Sequence, residues 1–310
     1  MSGSTSITQS FEEHRDLLFS VTYRMLGSVS DTEDVLQDLW LRLNRVDSEP
    51  IGNHRAYLLQ AATRLAIDRM RRIEARRETY VGPWLPEPLL TQPDATQSAE
   101  VAESVSMAML VVLETLSPLE RVVFVLREVF AFGYPEVADA TGRSEAAVRQ
   151  LNRRARGHVR DGRPRFRPDR NVHREVTDRF IRACRGGALD ELLELLAPDV
   201  TLVIDANGTA ETPRVPLHGM DEVAAYLAEI TRGLPDGLRY RGAELNGLPG
   251  TVLVKDGAVY AAVTLDLEPA TDRVAAVRVF RNITKLSGIQ PEPDAQTATA
   301  PDQQPASDTH

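Results

Sequence analysis

Apolar residues recur every three or four positions over the first quarter of the chain. They stand at Leu17, Leu18, Val21 and Leu26, then at Val35, Leu36, Leu39 and Leu43, and again at Leu58, Leu59, Ala62 and Leu65. This spacing places the apolar side chains on one face of an α-helix. Residues 11–77 are therefore predicted to form a small helical bundle.

A stretch rich in proline and small polar residues follows the bundle. Residues 78–104 contain a Gly-Pro pair and further prolines, a composition that neither continues a helix nor buries a core. We therefore predict a flexible linker. Helical spacing returns over residues 105–162, which are predicted to form a second helical domain.

The last part of the chain changes to a mixed pattern. Helical spacing at 172–184, 188–196 and 221–231 accompanies alternating strand-like segments at 251–254, 259–265 and 274–282. Residues 170–289 are therefore predicted to be an α+β domain, and the fold class is two all-α domains followed by this third one. Residues 290–310 are polar and rich in proline, so we expect them to be disordered.

Composition narrows the class of protein. The 310 residues are 42% hydrophobic and 26% charged, which is typical of a soluble protein of several domains. The chain has no apolar run long enough to span a bilayer and no export leader, so we expect it in the cytoplasm without a membrane partner. A single cysteine, Cys184, is expected to be a buried apolar residue. We predict no metal site and no cofactor.

Charge is distributed unevenly along this acidic chain, whose net charge is −9. Residues 64–77 carry six arginines against two acids, and residues 143–170 carry ten arginines against three. Phosphate contacts need such cations. The two islands therefore indicate two separate contacts with nucleic acid, although each alone is more simply a solvated helix face.

The sharpest local pattern lies between Tyr134 and Arg156. Ala138 stands where two crossing helices need a small side chain, Gly142 where a tight turn needs positive φ, and Val148 where the second helix packs back. Ser144 caps that second helix. The pattern predicts a helix-turn-helix.

The second helix of this motif carries Arg149, Gln150 and Arg153 on its outer side. Arginine and glutamine pair with guanine and adenine edges in a major groove. The alternative is an ordinary helical hairpin with a charged face. The spacing of the small and apolar residues together with the basic helix favours DNA binding.

Residues 30–43 combine an apolar stripe with an acidic face at Glu33, Asp34 and Asp38, and a helix ending in arginines follows at 55–72. The helices DTEDVLQDLWLRL and AYLLQAATRLAIDRMRR, the linker and the helix-turn-helix together resemble the extracytoplasmic-function sigma factors over residues 11–159. The resemblance implies core RNA polymerase and promoter DNA as partners.

The resemblance also implies roles for individual residues. The acidic helix would dock on polymerase through Asp31, Glu33, Asp34, Gln37, Asp38 and Trp40. The arginine-rich helix would read the minus-ten element through Arg64, Asp68, Arg69, Arg71 and Arg72. The helix-turn-helix would read the minus-thirty-five element through Ser144, Arg149, Gln150, Arg153, Arg154 and Arg156.

The C-terminal domain resembles the SnoaL-like cone fold. The linker motif Trp84-Leu-Pro-Glu-Pro and two C-terminal motifs, Asp205-Ala-Asn-Gly-Thr and Asn246-Gly-Leu-Pro-Gly, match sigma factors fused to such a domain. This resemblance implies a regulatory domain that grips the promoter-binding domains. The interdomain residues would be Trp84, Pro86, Pro88, Asp205, Asn246, Gly247, Pro249 and Gly250.

Three other functions stay open at this point. SnoaL-like folds include cyclases and isomerases, and Asp205, His218 and Tyr226 would supply acid and base groups if they faced one pocket. The same pocket would alternatively hold a small-molecule ligand for sensing. A stand-alone helix-turn-helix regulator would bind operator DNA without polymerase. We expect a sigma factor that is not an enzyme.

Overall fold

The computed structural model describes residues 7–44, 52–91, 106–162, 169–208 and 212–289. The predicted disorder of residues 290–310 and the second half of the predicted linker lie outside these ranges.

Three helices form the first helical unit: α1 (Ile7–Leu26), α2 (Val29–Leu43) and α3 (His54–Arg77). Their apolar stripes meet in a core in which Leu18, Leu36 and Leu58 are at most 2% exposed. Ser28 caps α2 by accepting a hydrogen bond from the Asp31 amide, and Asn53 caps α3 in the same way. The predicted bundle is therefore present.

The second helical unit contains α4 (Met107–Leu113), α5 (Pro118–Phe124), a π-helical turn (Val125–Val129), α6 (Tyr134–Thr141) and α7 (Glu145–Gly162). Gly142 ends α6 with φ of 65°, the left-handed conformation that the sequence pattern required. Ala138 and Val148 are buried where α6 and α7 cross. The helix-turn-helix is therefore formed as expected.

The C-terminal domain combines helices with a six-stranded mixed sheet. Along the chain its elements are α8 (Arg170–Gly186), α9 (Leu189–Leu195), β1 (Leu196–Asp205), β2 (Leu217–His218), α10 (Met220–Arg232), β3 (Arg239–Leu245), β4 (Leu248–Lys255), β5 (Ala258–Leu267), β6 (Val274–Phe280) and α11 (Ile283–Leu286). The strand order is β2-β1-β6-β5-β4-β3, and only the β1–β6 pair among these strands is parallel. The predicted fold class is confirmed.

Both faces of this sheet are buried. Val252, Ala262 and Phe280 belong to the hydrophobic core that includes the two helical units. Leu253 and Val263, which alternate with them along the strands, belong to a second core with α8 and α10. The C-terminal domain therefore shares a hydrophobic core with the helical part of the molecule.

The expectation that residues 78–104 bury no core is wrong for part of the segment. Leu85 is 2% exposed and lies in the shared core, and Pro86, Glu87 and Pro88 are also buried. Proline prevents this stretch from forming a helix, but it does not prevent an extended chain from packing between two domains.

One buried group predicts a pH dependence of stability. His173 on α8 is 1% exposed and its Nε2 donates to the carbonyl oxygen of Leu265 at 3.1 Å. Burial lowers the pKa of His173 below its ordinary value, so the unfolded chain takes up this proton at a higher pH than the folded chain. Stability is therefore lost as the pH falls below about 6.5.

Urea unfolding at pH 7, 6 and 5 tests this assignment. His173→Gln should lower stability at every pH but flatten the decline between pH 7 and pH 5. His218→Gln, at an exposed position, should retain the wild-type decline. A decline of the same size in all three proteins would contradict the assignment to His173.

Candidate functional site

The exposed face of α2 carries most of the residues predicted to bind polymerase. Glu33, Asp34, Gln37 and Asp38 are exposed, and Trp40 is 38% exposed although it is a large apolar side chain. An acidic surface with an exposed indole is suited to a basic partner with an apolar contact point.

Asp31 does not belong to this surface. It is 3% exposed and accepts hydrogen bonds from Arg69 Nε at 2.6 Å and from Arg76 at 2.7 Å. Burial alone would raise the pKa of Asp31, but the guanidinium groups of Arg76 and Arg69 hold that pKa below its ordinary value. Asp31 therefore joins α2 to α3.

The predicted DNA-binding residues of α3 divide into two groups. Arg64, Arg71 and Arg72 are exposed, and Asp68 pairs with Arg71 at 3.2 Å on the same surface. Arg69 instead bridges Asp31 and Asp34, so its guanidinium is held by the acidic helix. In this conformation Arg69 does not project freely from the helix.

The outer face of α7 presents the predicted recognition residues to solvent. Gln150 and Arg153 are exposed, and Arg149 lies 4.1 Å from the ring centroid of Tyr134 while pairing with Glu145 at 2.8 Å. Ser144 caps the helix by accepting from the Ala147 amide at 3.3 Å. Because an ion pair on the surface contributes little to stability, this pairing orients the Arg149 side chain without holding it strongly.

Two further arginines of α7 point toward the supporting helices. Arg154 pairs with Glu120 at 3.3 Å and Arg156 lies 3.8 Å from Glu128, and both side chains remain more than half exposed. Both guanidinium groups therefore remain accessible to solvent beside the outer face of α7.

The two helical units pack directly on each other. Gln60 on α3 donates to the backbone oxygen of Asp139 on α6 at 2.8 Å. Glu114, the residue that follows α4, lies between Arg77 of the first unit and Arg121 of the second. Although burial would raise the pKa of Glu114, Arg121 and Arg77 lower it, so the buried carboxylate stays ionised between its partners.

Asp205, at the end of β1, anchors the first part of the linker. Its side chain is fully buried and accepts hydrogen bonds from the Tyr80 hydroxyl, from the Leu85 amide at 2.8 Å and from Lys285 Nζ at 2.7 Å. Lys285 also donates to the Leu85 carbonyl oxygen at 2.5 Å. The carboxylate and ammonium thus hold both polar backbone groups of Leu85.

Trp84 lies where the first helical unit, the linker and the C-terminal domain meet. Lys285 Nζ of the C-terminal domain is 3.5 Å from a ring centroid of the indole, and the Arg77 guanidinium of the first helical unit is 4.6 Å from it. Tyr80 packs edge-on against the same ring at 4.7 Å. Cations that contact an indole face in a partly desolvated site contribute attraction beyond packing.

Residues 89–91 of the linker extend the sheet. Leu90 pairs with Leu245 of the edge strand β3, and the Thr91 amide donates to Glu244 O at 2.8 Å. Asn246, at φ of 52°, donates from its amide to Leu89 O at 2.8 Å and accepts from the Leu89 amide at 3.1 Å. The linker thereby covers an edge that would otherwise be open.

Glu87 connects the linker to the start of α2. Its carboxylate accepts from Ser28 Oγ at 2.9 Å and from the Ser30 amide at 3.2 Å. Burial raises the pKa of Glu87, while these donors and the helix N-terminus favour the carboxylate. The acidic helix and the linker therefore share one polar contact.

One hydroxyl group joins three segments. Tyr23 on α1 is fully buried, donates to the Glu87 carbonyl oxygen at 2.7 Å and accepts from Asn246 Nδ2 at 2.8 Å.

The remaining predicted interdomain residues differ in their surroundings. Gly247 donates from its amide to Thr91 Oγ1 at 3.1 Å, whereas Pro249 and Gly250 lie in β4. A Cβ on Gly250 would come within 2.8 Å of Val263 O, so the sheet itself requires this glycine.

Sequence reasoning missed Tyr80, Lys285, Asn282, Glu87 and Tyr23. Lys285 is one of only two lysines among 36 basic residues, which is the one sequence signal that sets it apart. The others carry no such signal, since the partners that join them to other parts of the molecule lie between 57 and 223 positions away.

The acid and base groups considered for an enzyme do not converge. Asp205 is paired with Lys285, whereas His218 is exposed beside Thr201, and neither they nor Tyr226 line the cavity of the C-terminal domain. Cys184 lines that cavity, and burial raises the pKa of its thiol to about 12, so it is no reactive thiolate near neutral pH.

Within the described ranges, no cluster of three or more His, Cys, Asp or Glu residues could hold a metal ion. None of the described helices combines the length and apolarity needed to cross a membrane.

Comparison with known proteins gives consistent matches. The family model described as Sigma-70 region 2 matches residues 10–77, and the model described as Sigma-70, region 4 matches residues 106–159. The curated relative "ECF RNA polymerase sigma factor SigJ" of Mycobacterium tuberculosis is 39% identical over 277 residues, covering 81% of this chain and 88% of the relative.

Two further matches extend this result. "Probable ECF RNA polymerase sigma factor SigI" of M. tuberculosis is 34% identical over 209 residues, covering 66% of this chain and 72% of that relative. The crystal structure of M. tuberculosis SigJ aligns with a TM-score of 0.70 at 35% identity, covering 90% of this chain and 98% of that chain.

The Asp205–Lys285 pair predicts a test of the linker anchor. Asp205→Ala leaves the Lys285 ammonium buried without its carboxylate, and we expect the free energy of unfolding to fall by about 3–5 kcal/mol. Asp205→Ala combined with Lys285→Met removes both charges and should recover part of the loss. Urea denaturation measures both changes.

Asp236→Ala, at an exposed position of the same domain, serves as the control and should change stability by no more than about 0.5 kcal/mol. An equal loss in the single and double variants would show that the unpaired charge is not the cause.

Proposed function

Because the chain belongs to the extracytoplasmic-function RNA polymerase sigma factor family and is therefore a transcription initiation factor, we propose that its C-terminal domain controls how the polymerase- and promoter-binding units are arranged relative to each other. Sigma factors bind core RNA polymerase and promoter DNA and are not enzymes.

The polymerase contact is proposed to be the exposed face of α2 with Glu33, Asp34, Gln37, Asp38 and Trp40. Its acidic residues favour a basic partner, and the 38% exposed indole offers an apolar anchor of the kind that dominates binding energy at interfaces. Asp31 takes no direct part in this proposal because it is buried. It supports the surface by fixing α3 against α2.

Promoter DNA is proposed to bind two surfaces. Arg64, Arg71 and Arg72 on α3 would contact the minus-ten element, and Arg149, Gln150 and Arg153 on α7 would read bases of the minus-thirty-five element. Arg154 and Arg156 would contact phosphates. The exposure of these side chains supports the assignment.

Arg69 couples the two kinds of partner in this proposal. Its guanidinium pairs with Asp34, which also lies on the proposed polymerase surface. A basic group of polymerase that engages Asp34 would weaken the hold on Arg69 and free its guanidinium for DNA. Polymerase docking would thus favour promoter capture within a single helical unit.

The regulatory proposal depends on one observation: the Tyr23 hydroxyl joins the first helical unit, the linker and the C-terminal domain. The linker is held on one side by α1 and α2 and on the other by Asp205 and Asn246. We call this set of contacts to residues 80–91 the linker clamp. The closed clamp holds the first helical unit, which carries the proposed polymerase and minus-ten surfaces, against the C-terminal domain.

Tethering makes such a clamp effective. Only residues 163–168 separate α7 from the described start of the C-terminal domain. A short connection gives an effective concentration of roughly the millimolar range, so individually weak hydrogen bonds suffice. Polymerase would then have to supply the free energy that opens the clamp.

The cavity of the C-terminal domain is proposed as the place where a small-molecule ligand biases this clamp. It encloses about 80 Å³ and its wall includes Ile204 and Arg281, the residues next to Asp205 and Asn282. Asn282 donates to the Tyr80 hydroxyl at 2.7 Å, so the wall and the clamp are adjacent in the chain.

Asp38→Arg should weaken core polymerase binding about tenfold, because a like charge replaces a complementary one at the docking surface. Asp178→Arg places the same charge reversal on an exposed position of α8 and should leave affinity unchanged. Fluorescence anisotropy with core polymerase measures both. Equal affinity of the two variants would contradict the assignment of α2.

Tyr23→Phe should loosen the linker clamp, because it keeps the buried ring and removes the bridging hydroxyl. Hydrogen–deuterium exchange at the Leu85, Glu87, Leu89 and Thr91 amides should become about fivefold faster, as expected for the loss of about 1 kcal/mol of hydrogen bonding. Promoter-dependent transcription should rise as opening becomes easier.

Tyr226→Phe on α10 provides the matched control and should exchange at the wild-type rate. Unchanged exchange in Tyr23→Phe would refute the clamp. Faster exchange without any change in transcription would show that the clamp exists but does not limit activity.

A further inference from the structure

The cavity of the C-terminal domain lies in the core on the side of the sheet facing α8 and α10. Its wall is mostly aliphatic and aromatic, including Phe180, Leu227, Leu253 and Val277. Aliphatic walls of this kind favour the apolar part of a ligand. At about 80 Å³ the space is roughly half that of a 150 Å³ cavity known to admit benzene. It fits about three or four carbon atoms.

Arg281 contributes the cationic group among the described residues that line this cavity, and none of them is acidic. The guanidinium stacks on the ring of Tyr260 at 4.0 Å from the ring centroid. No described carboxylate forms an ion pair with it. Its neighbour on β6, Arg278, shows the contrast, since that guanidinium pairs with Asp266 at 2.5 Å.

A stacked arginine beside an apolar cavity is suited to binding a carboxylate. Guanidinium binds a carboxylate through two parallel hydrogen bonds, and stacking reduces the freedom that it would lose on binding. A phosphate head would carry more charge than this single cation neutralises. A neutral ligand would leave the guanidinium without a counter-ion among the described residues.

We propose that the cavity binds a short branched aliphatic carboxylate of four or five carbons, with its tail in the apolar space and its carboxylate on Arg281. This inference deepens the ligand role suggested under the proposed function and depends on it only for the effect on transcription. Binding itself is a separate property of the C-terminal domain.

The backbone around Arg281 gives a route from the cavity to the linker clamp. The Arg281 amide donates to Asp205 O at 2.7 Å, and the Asn282 amide donates to the same oxygen at 2.9 Å. Arg281 therefore stands directly between the cavity and two residues that hold Tyr80. A ligand that orders Arg281 orders this part of the clamp and stabilises the closed form.

Titration calorimetry at pH 7 with the full chain tests the proposal, using isovalerate, the neutral 3-methylbutan-1-ol and the cationic isopentylamine as probes. Isovalerate should bind at least tenfold more tightly than the alcohol, and the amine should not bind. Arg281→Met should remove the preference for isovalerate. Arg273→Met, which changes an exposed arginine before β6, should retain it.

Ala261→Leu adds volume to a buried wall position and should weaken binding of isovalerate and the alcohol alike. Far-UV circular dichroism checks its folding, and Arg281→Met carries the test if it does not fold. Equal affinity for isovalerate and the alcohol, unchanged isovalerate affinity in Arg281→Met, or no binding at millimolar isovalerate would each overturn the proposal.

Hydrogen–deuterium exchange separates this result from the clamp itself. Saturating isovalerate should slow exchange at the Leu85 amide in the wild-type chain and leave it unchanged in Arg281→Met. Faster exchange in Tyr23→Phe without ligand tests the clamp independently. Failure of isovalerate to bind would therefore not contradict the linker clamp.

Discussion

A buried carboxylate needs compensating partners, and Asp205 imposes this requirement on the arrangement of the whole molecule. Its side chain is fully buried, and its donors come from α11 and from two positions of the linker. Lys285 belongs to the same domain as Asp205, so this ion pair can remain when the linker moves away. Tyr80 and Leu85 belong to the linker, so their hydrogen bonds to Asp205 are then lost. Release of the linker is therefore penalised by the loss of two hydrogen bonds to a charged group, but it does not leave a bare buried charge. A clamp built in this way is stable and can still be opened.

The clamp combines polar contacts with a shared apolar core, and the two respond differently to opening. Hydrogen bonds of the linker can be exchanged for bonds to water or to a partner at modest net cost. Separating Val252, Ala262 and Phe280 from the helical units would expose apolar surface that only another protein surface could cover. Movement of the linker alone would expose Leu85, whereas departure of the whole C-terminal domain would in addition expose apolar residues of its sheet, so movement of the linker costs less. This difference favours a partial rearrangement in which the domain stays attached to the first helical unit.

Alternation along the strands lets one sheet serve two purposes. On β6, Phe280 faces the helical units, while Val277 and Val279 border the cavity on the other side. Rigid strands transmit a shift at one face to the other, because close packing leaves little room for independent movement. The end of β6 then leads through Arg281 and Asn282 directly into the clamp. The cavity and the core shared with the helical units are thus separated by a single layer of backbone.

Local patterns in the sequence determined the helices of both units, the helix-turn-helix with Gly142, and strands β4, β5 and β6 of the C-terminal domain, because periodicity and turn chemistry act over a few residues. The resemblance to sigma factors fused to a SnoaL-like domain pointed to Asp205, Asn246 and Trp84, but it did not identify the residues that complete their contacts. Tertiary structure alone decided that Asp31 is buried under Arg69 and Arg76, that residues 85–88 enter a core, and that β1 pairs in parallel with β6. It also decided that Lys285 meets Asp205. These features join positions far apart in the chain. No short-range pattern shows which charged side chain will be buried away from water or which distant residue will pair with it.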